Sequence, residues 1–344
     1  MRKLIKYAVV VVLTALWCLP GYAAETKAGT VGFKFLDIGV GARPLAMGET
    51  FVAIADDATS LFWNPAGIAQ VEKFEAIAAY TNWPADIHLY SGGVVYNVPN
   101  FGAVGLSFSN LYTGEMNITT PEFPDGSGGT FTAGDWAAGL TYARFLTDRF
   151  SFGATFKLIH ETLCDYGDFS VNGWAADIGT HYDTGYRSIR IGMSIMNFGP
   201  DMRYEVDNDQ DGKTSEDKID GQDNDGDGLT DEDPEEAALP LPLSFRVGLA
   251  MDVLDLEANR VTLLAELMHP SDNEERYLFG AEYWYSDMLA LRTGYKVNAD
   301  EGGLTAGAGI KLISETLGSV SFDYAFTDFG RLDQVHRGSF NISF

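Results

Sequence analysis

Cysteine is nearly absent: two in 344 residues, Cys18 and Cys164. Cys18 falls in the N-terminal targeting stretch, so an exported chain keeps one thiol and no internal disulfide. Basic residues are scarce as well, 23 Lys and Arg against 49 Asp and Glu, for a net charge of −26. A phosphate backbone would be repelled, which excludes nucleic acid as a partner. Beyond the N-terminus no run approaches the roughly 18 consecutive apolar residues of a membrane helix. Spanning by strands stays open, because alternation keeps mean hydropathy near zero, here −0.06. Catalytic signatures are missing too. There is no G-x-S-x-G elbow, P-loop or S-x-x-K, and Gly39-Val40-Gly41 lacks the third glycine of a dinucleotide turn. His88, His160, His181, His269 and His336 have no metal-ligand helical spacing. Cys164 beside Asp165 has no cationic sequence neighbour to activate it. No enzymatic activity is expected.

The N-terminus reads as a secretory signal. Arg2, Lys3 and Lys6 precede the apolar Tyr7–Leu19 stretch, and Pro20-Gly21-Tyr22-Ala23-Ala24 adds a breaker and small residues. Cleavage after Ala23 or Ala24 fits; Trp17 before Cys18 argues against lipidation. Residues 1–24 are assigned to this signal, and its loss takes the net charge to −29.

From residue 73 onward the pattern is strand after strand. Leu243, Phe245, Val247, Leu249, Met251 and Val253 alternate with Ser244, Arg246, Gly248, Ala250 and Asp252. Fourteen such segments begin near Lys73, Ile87, Phe101, Ala133, Phe150, Phe169, Arg187, Leu241, Arg260, Tyr277, Met288, Gly303, Gly318 and His336. Their length suits transmembrane strands of about 9–11 residues better than soluble strands of about 5–6. The apolar face would meet lipid, with Tyr80, Trp83, Trp136, Tyr142, Trp174 and Tyr285 as an aromatic girdle. Arg190, Arg246, Glu266, Glu282, Arg292, Lys311 and Asp323 fall on the other face, where a wetted lumen is expected. The reading is an all-β, fourteen-stranded antiparallel transmembrane barrel over residues 73–344. On it, a charge at Val247 is costly, and truncation of lumenal Arg246 is mild.

Residues 25–72 differ: small residues dominate and long alternation is absent. A plug in the lumen is the expectation. Asp57–Phe62 reads as a short helix before Asn64-Pro65. Asn64 before Pro65 leaves the helical region, its side chain can satisfy backbone groups, and Gly67 permits positive φ.

Gly41-Ala42-Arg43-Pro44-Leu45-Ala46-Met47-Gly48-Glu49, Ala53-Ile54-Ala55-Asp56-Asp57-Ala58 and Phe62-Trp63-Asn64-Pro65-Ala66-Gly67 together resemble the FadL-type outer-membrane proteins, above all their PorV/PorQ branch. The resemblance implies a fourteen-stranded barrel with an N-terminal hatch, and places it in the outer membrane of a Gram-negative bacterium. For PorV/PorQ-type members it implies handling of secreted proteins in type IX secretion, with the translocon, cargo or attachment proteins as partners. For FadL-type members it implies uptake of hydrophobic small molecules such as long-chain fatty acids. Only the hatch motif, Asn64, Pro65, Ala66 and Gly67, transfers residue by residue. The final strand, with His336, Gly338, Phe340, Ile342 and Phe344 on one face, resembles the C-terminal signal read by the barrel-assembly machinery. Lipid of the outer membrane is the remaining partner.

An acidic insertion, residues 201–236, carries sixteen acids and three bases. Asp207-Asn208-Asp209-Gln210-Asp211-Gly212 and Asp223-Asn224-Asp225-Gly226-Asp227-Gly228 are D-x-D-x-D-G units. Positions 1, 3 and 5 can surround a hard cation, with Gly at 6 for the turn. Lys218 and Pro234 stand where an EF-hand has its bidentate Glu, so the run is more similar to thrombospondin type 3 repeats. Asp217 and Asp220 are assigned to the first Ca2+ site, Asp231 and Asp233 to the second. Unfilled, so many carboxylates would repel one another. A structural surface barrel with a calcium-stiffened loop is therefore a third expectation beside secretion and hydrophobic transport.

Overall fold

A computed structural model describes residues 29–203 and 239–344, except 122, 125, 166–168, 315–317 and 333. The expected signal peptide and all ten calcium-loop aspartates lie outside the described residues.

Among the described residues, sixteen strands follow in chain order: β1 Phe74–Trp83, β2 Ile87–Val98, β3 Gly102–Thr113, β4 Met116–Asn117, β5 Thr130–Phe131, β6 Gly134–Thr147, β7 Phe150–Cys164, β8 Phe169–Asp183, β9 Arg190–Phe198, β10 Ser244–Leu256, β11 Asn259–Pro270, β12 Arg276–Tyr285, β13 Leu289–Val297, β14 Leu304–Ser314, β15 Gly318–Asp328 and β16 Gln334–Ser343. Fourteen of them close into one antiparallel barrel. The other two, β4 and β5, pair with each other in the connection between β3 and β6, a ribbon the alternation did not announce. Closure runs through β1 and β16, with Ala78 opposite Phe340. Phe344 extends that seam: its N–H donates to the Phe74 carbonyl at 2.9 Å. No helix among the described residues is long and apolar enough to cross a membrane.

The barrel strands are 9 to 15 residues long, enough to cross a hydrocarbon layer at the tilt such strands adopt. At one end they are joined by short turns, at the other by long connections such as 114–133 and 199–243. In outer-membrane barrels the short turns are periplasmic and the long loops extracellular. The turn at 286–287 shows the local chemistry: Ser286 and Asp287 both have φ of 51°, the left-handed pair that a tight hairpin between twisted strands requires.

Alternation holds along the wall. In β10, Phe245 and Leu249 are exposed while Ser244, Arg246 and Ala250 are buried. The outer surface is accordingly rich in exposed Leu, Phe, Ile and Tyr. Trp83 departs from the expected girdle. It turns inward, meeting Phe329 edge-on at 5.1 Å with the Arg337 guanidinium 5.3 Å from its ring centre, because it shares the parity of buried Thr81.

The interior also departs from a simply wetted lumen. Three apolar clusters fill it. In each, residues between Phe33 and Val71 pack on small or aliphatic inward-facing wall residues. Phe51, Leu45 and Trp63 lie with Ala250, Leu264 and Ala325. Phe33 and Phe35 lie with Leu89 and Ile159. Leu61 and Ile68 lie with Val95, Ala103 and Ala143. The hydrophobic core of this protein sits inside its barrel.

Candidate functional site

The segment from Gly29 to Val71 starts at the long-connection end, where the Gly32 N–H donates to the Pro240 carbonyl at 3.1 Å and Lys34 pairs with Asp272 at 2.8 Å. It reaches the short-turn end at Val71, whose carbonyl accepts from Asn97 Nδ2 at 2.8 Å. It thus follows the bore from one mouth to the other.

Its turns are built by the residues singled out in the sequence. Asp57 caps a 3-10 turn over Ala58–Phe62, its Oδ1 accepting from the Thr59 N–H at 2.8 Å. Asn64 has extended backbone, φ −153° and ψ 101°, as the residue before a proline must. It caps a second turn, Pro65–Gln70, accepting from the Ala66 N–H at 3.1 Å. Its Nδ2 donates to the carbonyls of Val52 at 2.9 Å and Thr180 at 3.0 Å. One fully buried amide therefore ties two parts of the segment to strand β8. Pro65 occupies the first position of its turn, where no N–H is needed. Ala66 accepts from Ser151 Oγ at 3.1 Å through its carbonyl. Gly67 is required for another reason than the expected one. It is not among the positive-φ residues; a Cβ there would collide with the Ala55 carbonyl oxygen and Ser60 Oγ. Close approach, not backbone hand, selects glycine.

The wall is cut to receive the segment. Inward-facing Gly153, Gly179, Gly192, Gly248, Gly280 and Gly294 come so close to it that an added Cβ would press on Pro65, Asn64, Val52, Ala53 and Met47. Glycines alternating with apolar residues were visible in the strands, but their partner was not, because the segment that fills the space is remote in sequence.

The charged lumenal residues also find partners. Arg43 Nε lies 3.0 Å from Glu282 Oε1, and Arg43 Nη1 lies 2.6 Å from Asp56 and 2.7 Å from Asp57. Arg292 bridges Glu282 at 2.7 Å and Asp323 at 2.5 Å. Burial works against charge on Arg43, but Asp56, Glu282 and Asp57 overcome it and hold its pKa well above the usual guanidinium value. Glu266 accepts from the N–H groups of Phe51 and Val52 at 3.0 and 3.1 Å, and from Arg246 at 3.1 Å. Arg246 also donates to the Glu49 carbonyl at 3.3 Å and lies 5.0 Å from the Trp63 ring centre. Glu49 meets Lys296 at 2.8 Å. Arg190 pairs with Asp252 within the wall. Of the charges expected to face water, Arg246, Glu266 and Glu282 instead hold the peptide segment. Burial of such groups is tolerated where each has a partner of opposite sign.

Among the cavities of the described residues, three bear on this segment and its mouths. A cavity of about 50 Å3 lies between Phe35, Leu36, Phe62 and Leu89, with Lys157 and Asp177 at its side. A polar cavity of about 170 Å3 near the short-turn end is lined by Arg43, Asp57, Glu75, Lys311 and Asp323. A cleft of about 400 Å3 at the other mouth is lined by Val31, Phe198, Pro240, Leu241 and Leu243.

The family model for the type IX secretion system protein PorV matches residues 22–221, more than half of the chain. The chain belongs to the PorV family. In this PorV-family chain the match takes in the whole described N-terminal segment and strands β1 to β9, and ends within the acidic insertion. No curated protein matches it in sequence. Among solved structures it is similar to the toluene transporter TbuX of Ralstonia pickettii, at 14% identity and a TM-score of 0.57 over 89% of this chain and 98% of that one. The toluene transporter TodX of Pseudomonas putida gives 12%, 0.56, 88% and 96%. A FadL homologue of Pseudomonas aeruginosa gives 13%, 0.50, 94% and 100%. These likenesses show the fold: a FadL-type outer-membrane barrel. The PorV-family protein is thus a β-barrel of the Gram-negative outer membrane.

Proposed function

We propose that this protein handles secreted proteins in type IX secretion, meeting translocon, cargo or attachment proteins through its rim and external loops. The observation that carries the reading is the PorV match on a barrel whose bore is occupied along its length. In this reading the Gly29–Val71 segment is a hatch, Asn64 to Gly67 its keystone turn, and no chemistry is catalysed. A through-path for solutes would need the segment's polar clamps broken, so the useful surfaces are outside the bore. Residues 1–24 serve as a cleaved signal, and Phe344, which follows the closing strand, serves the barrel-assembly machinery. Deleting the gene should leave proteins with type IX sorting domains in the periplasm. Unchanged surface export would remove the reading.

A second reading is favoured by one observation. The apolar cleft beside Val31, Phe198 and Leu243 opens at the outer mouth, where a FadL-like channel for hydrophobic small molecules would take them in. Loss of hydrophobic-solute uptake on deletion, with export intact, would select it.

The acidic insertion joins β9 to β10 at the extracellular end. Its two D-x-D-x-D-G units, completed by Asp217, Asp220, Asp231 and Asp233, bind Ca2+ in this proposal and stiffen the connection. Support comes from their spacing and from external calcium being plentiful.

A further inference from the structure

The polar cavity at the short-turn end contains groups that the N-terminal segment does not use. The acids that line it are already engaged. Asp56 and Asp57 are held by Arg43, Asp323 by Arg292, and Glu75 by the Ala58 N–H at 2.8 Å. The cations are less fully matched. Lys311, one of the charges expected to face water, has no ion-pair partner among the described residues. Arg260 meets Asp287 at 3.4 Å, and both of those side chains are exposed.

Two further groups on this wall lack partners. Trp284 is 8% exposed, and its Nε1–H finds no acceptor. Asn341 Oδ1 is buried and finds no donor. Strand register brings these residues to one stretch of wall. Lys311 is opposite Ser321, Ser321 is opposite Asn341, and Arg260 is opposite Trp284. Lys311 and Asn341 therefore flank β15, about 10 Å apart at the backbone, with Ser321 between them.

The unused groups select a ligand. Lys311, Arg260, Ser321 and Trp284 all donate hydrogen bonds, and two of them are cations. A buried donor without an acceptor is costly, and a cation beside it asks for an anion. Asn341 Oδ1 asks for a donor in return. A carboxylate or a sulfate, ionised at neutral pH, has none to give. Inorganic phosphate keeps at least one O–H at that pH and has oxygens left to accept from the rest. The cavity of about 170 Å3 admits such an ion with a few waters, since a single water needs about 10–15 Å3.

We propose that this cavity binds one inorganic phosphate from the periplasm, with Lys311, Arg260, Ser321 and Trp284 donating to its oxygens and Asn341 accepting its O–H. The bound ion joins five strands, β11, β12, β14, β15 and β16, beside the Arg43 clamp.

The test uses the full protein in detergent and phosphate-free buffer at pH 7, titrated with sodium phosphate. Tryptophan fluorescence should change saturably, and the melting temperature should rise with it, because the ion binds the folded state. Trp284→Phe should lose the fluorescence change and keep part of the thermal shift. Lys311→Met and Asn341→Leu should each weaken binding about tenfold, the loss of about 1.4 kcal/mol. Arg187→Gln, at an exposed arginine on the turn after β8, should bind as wild type. Sulfate should bind at least tenfold more weakly. Heat-modifiable migration on gels reports that each barrel is folded. Equal responses to phosphate, sulfate and sodium chloride at one ionic strength would overturn the proposal in favour of simple screening. Wild-type affinity in Lys311→Met would overturn it as well. Tighter binding of glycerol 3-phosphate than of phosphate would overturn it in favour of a phosphate ester.

Discussion

Arg43 and Glu282 meet at 3.0 Å across the boundary between the N-terminal segment and the barrel wall. Neither end is free to leave: Asp56 and Asp57 hold the arginine, and Arg292 holds the glutamate. Arg43→Ala should destabilise the folded protein by about 3–5 kcal/mol, because it takes the guanidinium away from the largely buried Asp57 and leaves Glu282 with Arg292 alone. Arg43→Met/Glu282→Gln should cost less than the sum of its single variants. Urea unfolding in lipid vesicles measures both. Additive costs would mean the contact carries no coupling.

The glycine seat makes a steric prediction. Gly153→Val and Gly294→Val place side chains into the backbone of Pro65 and Met47. Each should cost about 1–3 kcal/mol or more and should raise single-channel conductance in planar bilayers as the segment shifts. Outward Ala306→Val should do neither. An unchanged conductance in both glycine variants would mean the segment does not obstruct the bore.

The contacts of Glu49 have a pH signature. Burial raises its pKa, but Lys296 and Arg246 outweigh burial and bring it from 4.5 to about 2. A depressed acid stabilises the fold above its ordinary pKa and loses that contribution as pH falls through the folded value. The difference in unfolding free energy between wild type and Glu49→Gln should therefore be full at pH 6, about 3 kcal/mol by linkage, and shrink between pH 4.5 and 2. A difference constant over that range would refute the pairing.

Leu249 and Arg246 test the facing of the wall. Leu249→Arg puts a charge on the lipid side and should cost about 2–4 kcal/mol near the midplane. The sequence alone suggests that truncating Arg246 is mild. The structure reverses that expectation, since Arg246→Ala would strip Glu266 of its partner and expose the Trp63 contact. Comparable losses in both variants, with Arg246→Ala/Glu266→Gln partly restored, would fit the filled lumen.

For the acidic insertion, isothermal titration of the full protein in detergent should show saturable calcium binding. Asp223→Ala/Asp225→Ala should abolish one site and leave the other. Heats indistinguishable from magnesium would count against a specific site.

The sequence by itself determined the barrel. Period-two alternation is local, so Phe245, Val247 and Leu249 declare a lipid face without knowledge of their neighbours, and fourteen such stretches fix the strand count. It also marked Asn64 and Pro65 as a turn, because capping and the pre-proline restriction act within a few residues. Tertiary structure alone decided how the segment expected in the bore is held there. Arg43 and Glu282 lie 239 positions apart, and the inward glycines have meaning only against Pro65 and Met47. Charges on the inner face read as wetted until the partner is placed. Burial and pairing are properties of two surfaces brought together, and no local pattern encodes which surfaces those are.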